Sequence, residues 1–85
     1  MTEQELIDLG FDKIIVTDEE SNNGYDYYYY SLYLMEGLEL ISTDSYDNTT
    51  DSWEVFNPDW AVTTINKESI ILLIQMAQDL QDLNP

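Results

Sequence analysis

Carboxylates and phenols make up nearly all of the reactive side chains of this 85-residue chain. Eighteen Asp and Glu stand against two Lys and no Arg, for a formal charge of −16, and there is neither histidine nor cysteine. Six of the seven tyrosines, Tyr25, Tyr27, Tyr28, Tyr29, Tyr30 and Tyr33, crowd into one stretch, NNGYDYYYYSLYLMEG, residues 22–37. Between Lys13 and Lys67 lie 53 residues without a cation, holding Asp18, Glu19, Glu20, Asp26, Glu36, Glu39, Asp44, Asp47, Asp51, Glu54 and Asp59. Carboxylates can hold a metal, move protons or present negative charge to a partner, and their spacing decides among these.

The metal reading fails on spacing. Asp18, Glu20 and Asn22 alternate as in the calcium loop D-x-[DN]-x-[DN]-G, but Asn23 stands where that loop needs Gly, and Tyr29 where it needs a bidentate Glu. The run DSYDNTTD, with Asp44, Asp47 and Asp51, holds a divalent cation loosely at best, and a solvated acidic loop is the plainer reading. No metal and no cofactor are expected. Paired carboxylates run glycoside hydrolysis, yet eighteen acids in 85 residues produce close pairs by chance. With no histidine base, no thiolate, no Gly-rich phosphate loop and no G-x-S-x-G, the expectation is a protein that is not an enzyme. Two lysines cannot neutralise a useful number of phosphates, so direct nucleic-acid binding is not expected, and anionic lipid is repelled in the same way.

The elements that must position these groups are those of one small domain, residues 1–85. Apolar residues at 44% and abundant aromatics set the chain apart from acidic disordered segments. Thr2 and Glu5 form a capping-box pattern before Leu6, Ile7 and Leu9, and Gly10 suits a helix end, so a short helix is predicted over 3–9. FDKIIVT, residues 11–17, reads as a first strand and DEESNNG as a polar turn. Residues 25–35 read as a long second strand, joined through Glu36-Gly37 to a third, LELIST. Residues 44–52 read as a loop, 53–56 as a fourth strand, and 60–65 as a short fifth strand on the edge. Asn66 and Glu68 open a helix over about 67–83. Its stripe is Ile70, Leu73, Ile74, Ala77 and Leu80, while Ile71, Leu72, Met76 and Leu83 fall outside it and widen the apolar surface. The predicted fold class is α+β: an antiparallel sheet of four to five strands with a short N-terminal helix and a longer C-terminal helix packed on one face. The start MTEQELIDLG lacks the pattern of a signal peptide, and the longest aliphatic run, residues 70–74, is far short of a membrane span of about 20 residues. A soluble cytoplasmic protein with no membrane partner is expected.

Strand alternation then sorts the tyrosines. Tyr28, Tyr30, Leu32 and Leu34 share the face that belongs against the helices, leaving Tyr27, Tyr29, Ser31 and Tyr33 on the open face. With Leu38, Leu40 and Ser42 inward, the third strand shows Glu39 and Ile41. With Trp53 and Val55 inward, the fourth shows Glu54. The open face is thus predicted to combine tyrosine and carboxylate. Cross-strand tyrosines stabilise an exposed sheet by a few tenths to about 1 kcal/mol per pair. Tyrosine is also a favoured hot-spot residue of protein interfaces, and carboxylates around it select a basic partner. Both readings stand at this point.

Length, acidity, the absence of Cys and His, and the runs DEESNNGYDYYYY and DSYDNTTD resemble the small acidic phage-encoded proteins that act against bacterial defence nucleases, the anti-CRISPR and anti-restriction nucleic-acid mimics. The opening ELIDLGFDKIIV with EES and the tyrosine run also resembles short phage and bacterial proteins of unassigned role. The likeness covers most of the chain and rests on pattern. That class has no shared fold or signature, so it assigns no residue. It implies an inhibitor that occupies a basic nucleic-acid-binding groove of another protein, such as a nuclease or other defence protein, in the cytoplasm of a bacterial host. The candidate contacts are Tyr27, Tyr29 and Tyr33, with Asp26, Glu36, Glu39, Asp44, Asp47 and Glu54 as the phosphate-like charges. The alternative is an accessory or homodimeric domain that uses the apolar face of the C-terminal helix, its acidity serving solubility.

Overall fold

A computed structural model describes residues 1–22, 24–46, 50–60 and 64–82. The element order is α1 (Glu3–Leu9), β1 (Asp12–Val16), α2 (Asp18–Ser21), β2 (Tyr27–Met35), β3 (Leu38–Ser42), β4 (Val55–Phe56) and α3 (Lys67–Asp82). The strands form one antiparallel sheet in the order β1-β2-β3-β4, giving the expected α+β class.

Local chemistry sets most boundaries. At α1 the Thr2 hydroxyl accepts from the Glu5 N–H at 3.2 Å while Glu5 Oε1 accepts from the Thr2 N–H at 3.0 Å, a closed capping box. Gly10 ends that helix at φ 99°, a conformation that costs glycine little. The turn before β2 is more ordered than a simple polar loop. Thr17 caps the single turn of α2, and the Asp18 N–H donates to Asp26 Oδ1 at 2.6 Å. Gly37, at φ 83°, closes the β2–β3 hairpin, and a register shift between Tyr33 and Met35 bulges the strand beside it. At α3 the Asn66 side chain accepts from the Ser69 N–H at 2.8 Å.

One apolar cluster joins both terminal helices to the same face of the sheet: Leu6 from α1, Ile70 and Ala77 from α3, and Tyr30, Leu34, Leu38, Leu40 and Val55 from the strands, with Phe11, Trp53 and Ile65 between them. Two expectations need correction, and a third falls partly outside the described residues. The fourth strand begins at Val55 and not at Trp53, because the Trp53 N–H and C=O are taken by Met1, at 2.7 and 2.9 Å, and not by β3. No fifth strand is seen among the described residues of 60–65. Residues 61–63 lie outside them, Trp60 is in a bend, and Ile65 packs in the core with its N–H bonded to the Val55 carbonyl at 2.7 Å, without strand pairing. Leu80 is exposed and not part of the buried stripe: four residues after Ala77 the sheet-facing position falls to Gln81, whose amide donates to the Leu34 carbonyl at 3.3 Å. Leu83, at the predicted end of the helix, lies outside the described residues.

Lys67 Nζ meets Glu5 Oε2 at 2.8 Å and ties α3 to α1. The Lys67 ammonium, hydrogen-bonded to this carboxylate, holds the Glu5 carboxyl down from its ordinary 4.5 to about 2, helped by the Thr2 N–H. A carboxyl lowered by folding contributes stability above its unfolded value and loses it as pH falls through the folded one. The stability difference between the native chain and Lys67→Gln is therefore expected to be full above pH 4.5 and to vanish on acidification towards pH 2, read by denaturant melts across that window. Leu40 and Leu6 are fully buried, so Leu40→Ala or Leu6→Ala should each cost about 2–5 kcal/mol. Leu80→Ala should stay within about 0.5 kcal/mol of the native chain in the same melts.

Candidate functional site

β2 sorts its side chains as the alternation requires. Tyr30 and Leu34 are buried and Tyr28 and Leu32 pack against the core, so Tyr27, Tyr29, Ser31 and Tyr33 occupy the opposite, open face. Cross-strand registry extends that face. Val16 pairs with Tyr27, Ile14 with Tyr29, Asp12 with Ser31, Ser31 with Ile41, Ile41 with Phe56, and Tyr33 with Glu39. The centre of the open face is consequently Tyr27, Tyr29, Ile14, Val16, Ile41 and Phe56. It is more apolar than the tyrosine–carboxylate mixture expected. The contribution of β1 was missed because FDKIIVT carries neighbouring aliphatics that alternation alone assigns to neither face. That of Phe56 was missed because an aromatic in a short strand reads as core.

A groove of about 290 Å³ lies in this face, lined by Tyr27, Tyr29, Ile41, Thr43, Asp44 and Phe56, with Ser42 at its floor. Tyr33 stands beyond it, 65% exposed, opposite Glu39. The acids surround the apolar centre. Glu54 is exposed beside Thr43, which its backbone pairs with through the Thr43 N–H at 2.9 Å. Glu39 is exposed and accepts from Ser31 Oγ at 2.7 Å. Asp44 is half-buried.

Of the nine candidate contacts, Tyr27, Tyr29 and Asp44 therefore share one groove, and Tyr33, Glu39 and Glu54 lie on the same sheet face. Asp26 and Glu36 sit before and after β2, roughly 30 Å apart at strand rise, and cannot serve one compact site. Asp26 is besides committed to the Asp18 N–H. Asp47 lies outside the described residues.

The electrostatics are one-sided. Both lysines are engaged internally, Lys67 with Glu5 and Lys13 with its Nζ 4.0 Å from the Tyr28 ring centroid. On the helix side, burial pushes the Tyr30 phenol far above its ordinary value, with Glu3 beside it adding to the effect. The same two causes raise Tyr28. Among the described residues no group of three or more acids is arranged to hold a metal ion. No described helix is long and apolar enough to cross a membrane.

A second concavity, about 440 Å³, lies along the first turns of α3, lined by Trp60, Ile65, Leu72, Leu73 and Met76 together with the polar Thr64, Asn66 and Ser69. Leu72, Met76 and Ile71 are all partly or largely exposed. No family model matches the chain, and neither a curated protein nor a solved structure matches it.

With −16 and both lysines engaged, the folded state carries its own repulsion, which salt screens: the Debye length falls from about 30 Å at 0.01 M to about 3 Å at 1 M. The melting temperature should rise by several degrees over that range of sodium chloride, in calorimetry or circular dichroism, where an uncharged domain of this size would move little.

Proposed function

We propose that this protein is a non-catalytic binding protein whose open sheet face docks on a basic surface of another protein. One observation carries the reading: an aromatic and aliphatic centre, with Tyr27, Tyr29, Ile41 and Phe56 around a groove, is rimmed by Glu39, Asp44 and Glu54 and faces outward from a chain whose two lysines are both engaged elsewhere. Interfaces combine an apolar, aromatic centre with a polar rim. Here the rim is of one sign, which selects a cationic partner and accelerates encounter at low salt. Basic surfaces of that kind are typical of proteins that hold nucleic acid. The finer reading, an inhibitor that takes the place of DNA or RNA on a bacterial defence nuclease, leans on the class-level resemblance of the sequence.

A second reading draws on the concavity beside α3, where Trp60, Leu72 and Met76 form an apolar surface. It would serve an accessory or homodimeric contact. Two chains of −16 repel each other, so that surface fits a differently charged partner better than a second copy.

The test is capture from bacterial lysate on the tagged protein, eluted with a salt gradient and repeated with excess duplex DNA. Recovery of a nucleic-acid-binding protein that DNA displaces and moderate salt releases is expected. In titrations with that protein, Tyr29→Ala or Phe56→Ala should weaken binding by roughly tenfold, about 1.4 kcal/mol. Glu39→Gln with Glu54→Gln should flatten the salt dependence. A partner held through high salt and excess DNA, and released by Met76→Asp, would move the binding site to α3 and overturn the acidic-face reading.

A further inference from the structure

The outer edge of β1 is a feature that the open-face reading leaves unused. Among the described strands β1 pairs with β2 alone. Four of its five residues are exposed, Ile15 at 61%. Its neighbours show which backbone groups are left over. The Tyr28 N–H donates to Ser45 Oγ at 3.0 Å, the Tyr28 carbonyl accepts from the Ser45 N–H at 2.7 Å, and the Tyr30 N–H donates to Ser42 Oγ at 2.8 Å. Tyr28 and Tyr30 thus direct their backbone groups towards β3. In an antiparallel ladder, residues alternate in the side to which they bond, so Tyr27, Tyr29 and Ser31 direct theirs towards β1. Their partners there are Val16, Ile14 and Asp12. It follows that the N–H and C=O groups of Lys13 and Ile15 point away from the sheet. Two donors and two acceptors at the two-residue repeat of a strand, roughly 6.7 Å, are a template for a further strand.

The surroundings specify what fits. A second copy of this chain is opposed by the charge of −16 on each molecule. Exposed acids flank the edge, with Asp12 at one end and Asp18, Glu19 and Glu20 at the other. Lys13 itself is drawn over the Tyr28 ring on the helix side. An incoming strand would lay alternate aliphatic side chains beside Ile14 on the open face, with Lys or Arg against the acids at the two ends of the edge.

We propose that β1 is a docking edge for an extended, basic segment of a partner protein, which adds to the sheet as a further strand. This rests on the reading above that the partner is cationic. Main-chain bonds to Lys13 and Ile15 supply affinity, and the flanking carboxylates select the sequence.

The probe is a synthetic peptide of about nine residues, the upper range of strand length, alternating Val with Lys or Arg. It is titrated at low ionic strength while amide exchange is followed by NMR. The Lys13 and Ile15 amides should exchange freely without peptide and gain roughly tenfold protection or more when it is bound. N-methylating alternate amides of the peptide, which leaves the protein untouched, should weaken binding by roughly tenfold. Peptide that binds and is lost on Glu19→Gln with Glu20→Gln, yet leaves the Lys13 and Ile15 amides unprotected, overturns the edge proposal while the acidic-face reading stands. Protection that rises with protein concentration alone assigns the edge to a second copy and overturns it as well. An absence of binding at low salt overturns it too. Failure of the acidic-face reading shows separately, in the lysate capture.

Discussion

Tyr30 is the residue on which the other parts converge. Its side chain is 2% exposed, and a phenol taken out of water at that depth needs a hydrogen-bond partner. The partner is a carboxylate from another element: Tyr30 Oη donates to Glu3 Oε2 at 2.5 Å. Glu3 is itself placed, because its N–H donates to Asp51 Oδ1 at 2.7 Å, and the same oxygen accepts from Trp53 Nε1 at 3.0 Å. The Tyr30 ring meets Trp53 edge-on at 5.4 Å and Tyr28 at 6.1 Å, while its N–H is held by Ser42. One residue thus locks α1, β2, β3 and the approach to β4, its side chain through Glu3 and Trp53 and its N–H through Ser42. A strand slipped by one residue would bury Tyr29 and Ser31, exchange the two faces and leave this network unmade. The outward position of Tyr27, Tyr29 and Tyr33 is a consequence of the inward position of Tyr30.

The second constraint is charge. A chain at −16 can fold only if its acids are kept apart or given something positive to face. Six of them stand in first turns of helices: Glu3 and Glu5 in α1, Asp18, Glu19 and Glu20 in α2, and Glu68 in α3. There the exposed N–H groups and the positive end of the helix dipole favour a carboxylate, by about 0.3–1 kcal/mol at an exposed site. The open face uses a different solution. Its centre is left to rings and aliphatics, and the carboxylates are moved outward to Glu39, Glu54 and the half-buried Asp44.

Where one local signal dominates, the elements are legible from the residues. The capping box at Thr2 and Glu5 with Gly10 fixes α1 at Glu3–Leu9, and the alternation of β2 assigns each tyrosine its face. What the residues conceal is decided by contacts distant along the chain. Trp53 carries every mark of a strand residue and is claimed by Met1, 52 positions away. Leu80 has helix spacing, but Gln81 takes the sheet-facing place because Leu34 offers it a carbonyl. The site divides in the same way. Tyr27, Tyr29, Tyr33, Glu39 and Glu54 follow from period two, whereas Ile14, Val16 and Phe56 reach the open face only through pairing that no single segment reveals.

That pairing also changes what kind of recognition the face can support. A surface that imitates a nucleic-acid backbone would need charge at close and regular intervals, since a duplex carries one negative charge per 1.7 Å or so of axis. Outward residues on one strand are about 6.7 Å apart at best, and along the centre of this face they are Tyr27, Tyr29, Ile41 and Phe56 rather than acids. The density of charge on this face is too low for imitation alone. On the proposed reading labour is divided: carboxylates at the rim would draw a cationic surface in and set its approach, and the half-buried rings and aliphatics would decide how long it stays. Such a face would discriminate among basic proteins by the shape of what sits between their cations, a selectivity that a uniform lattice of charge lacks.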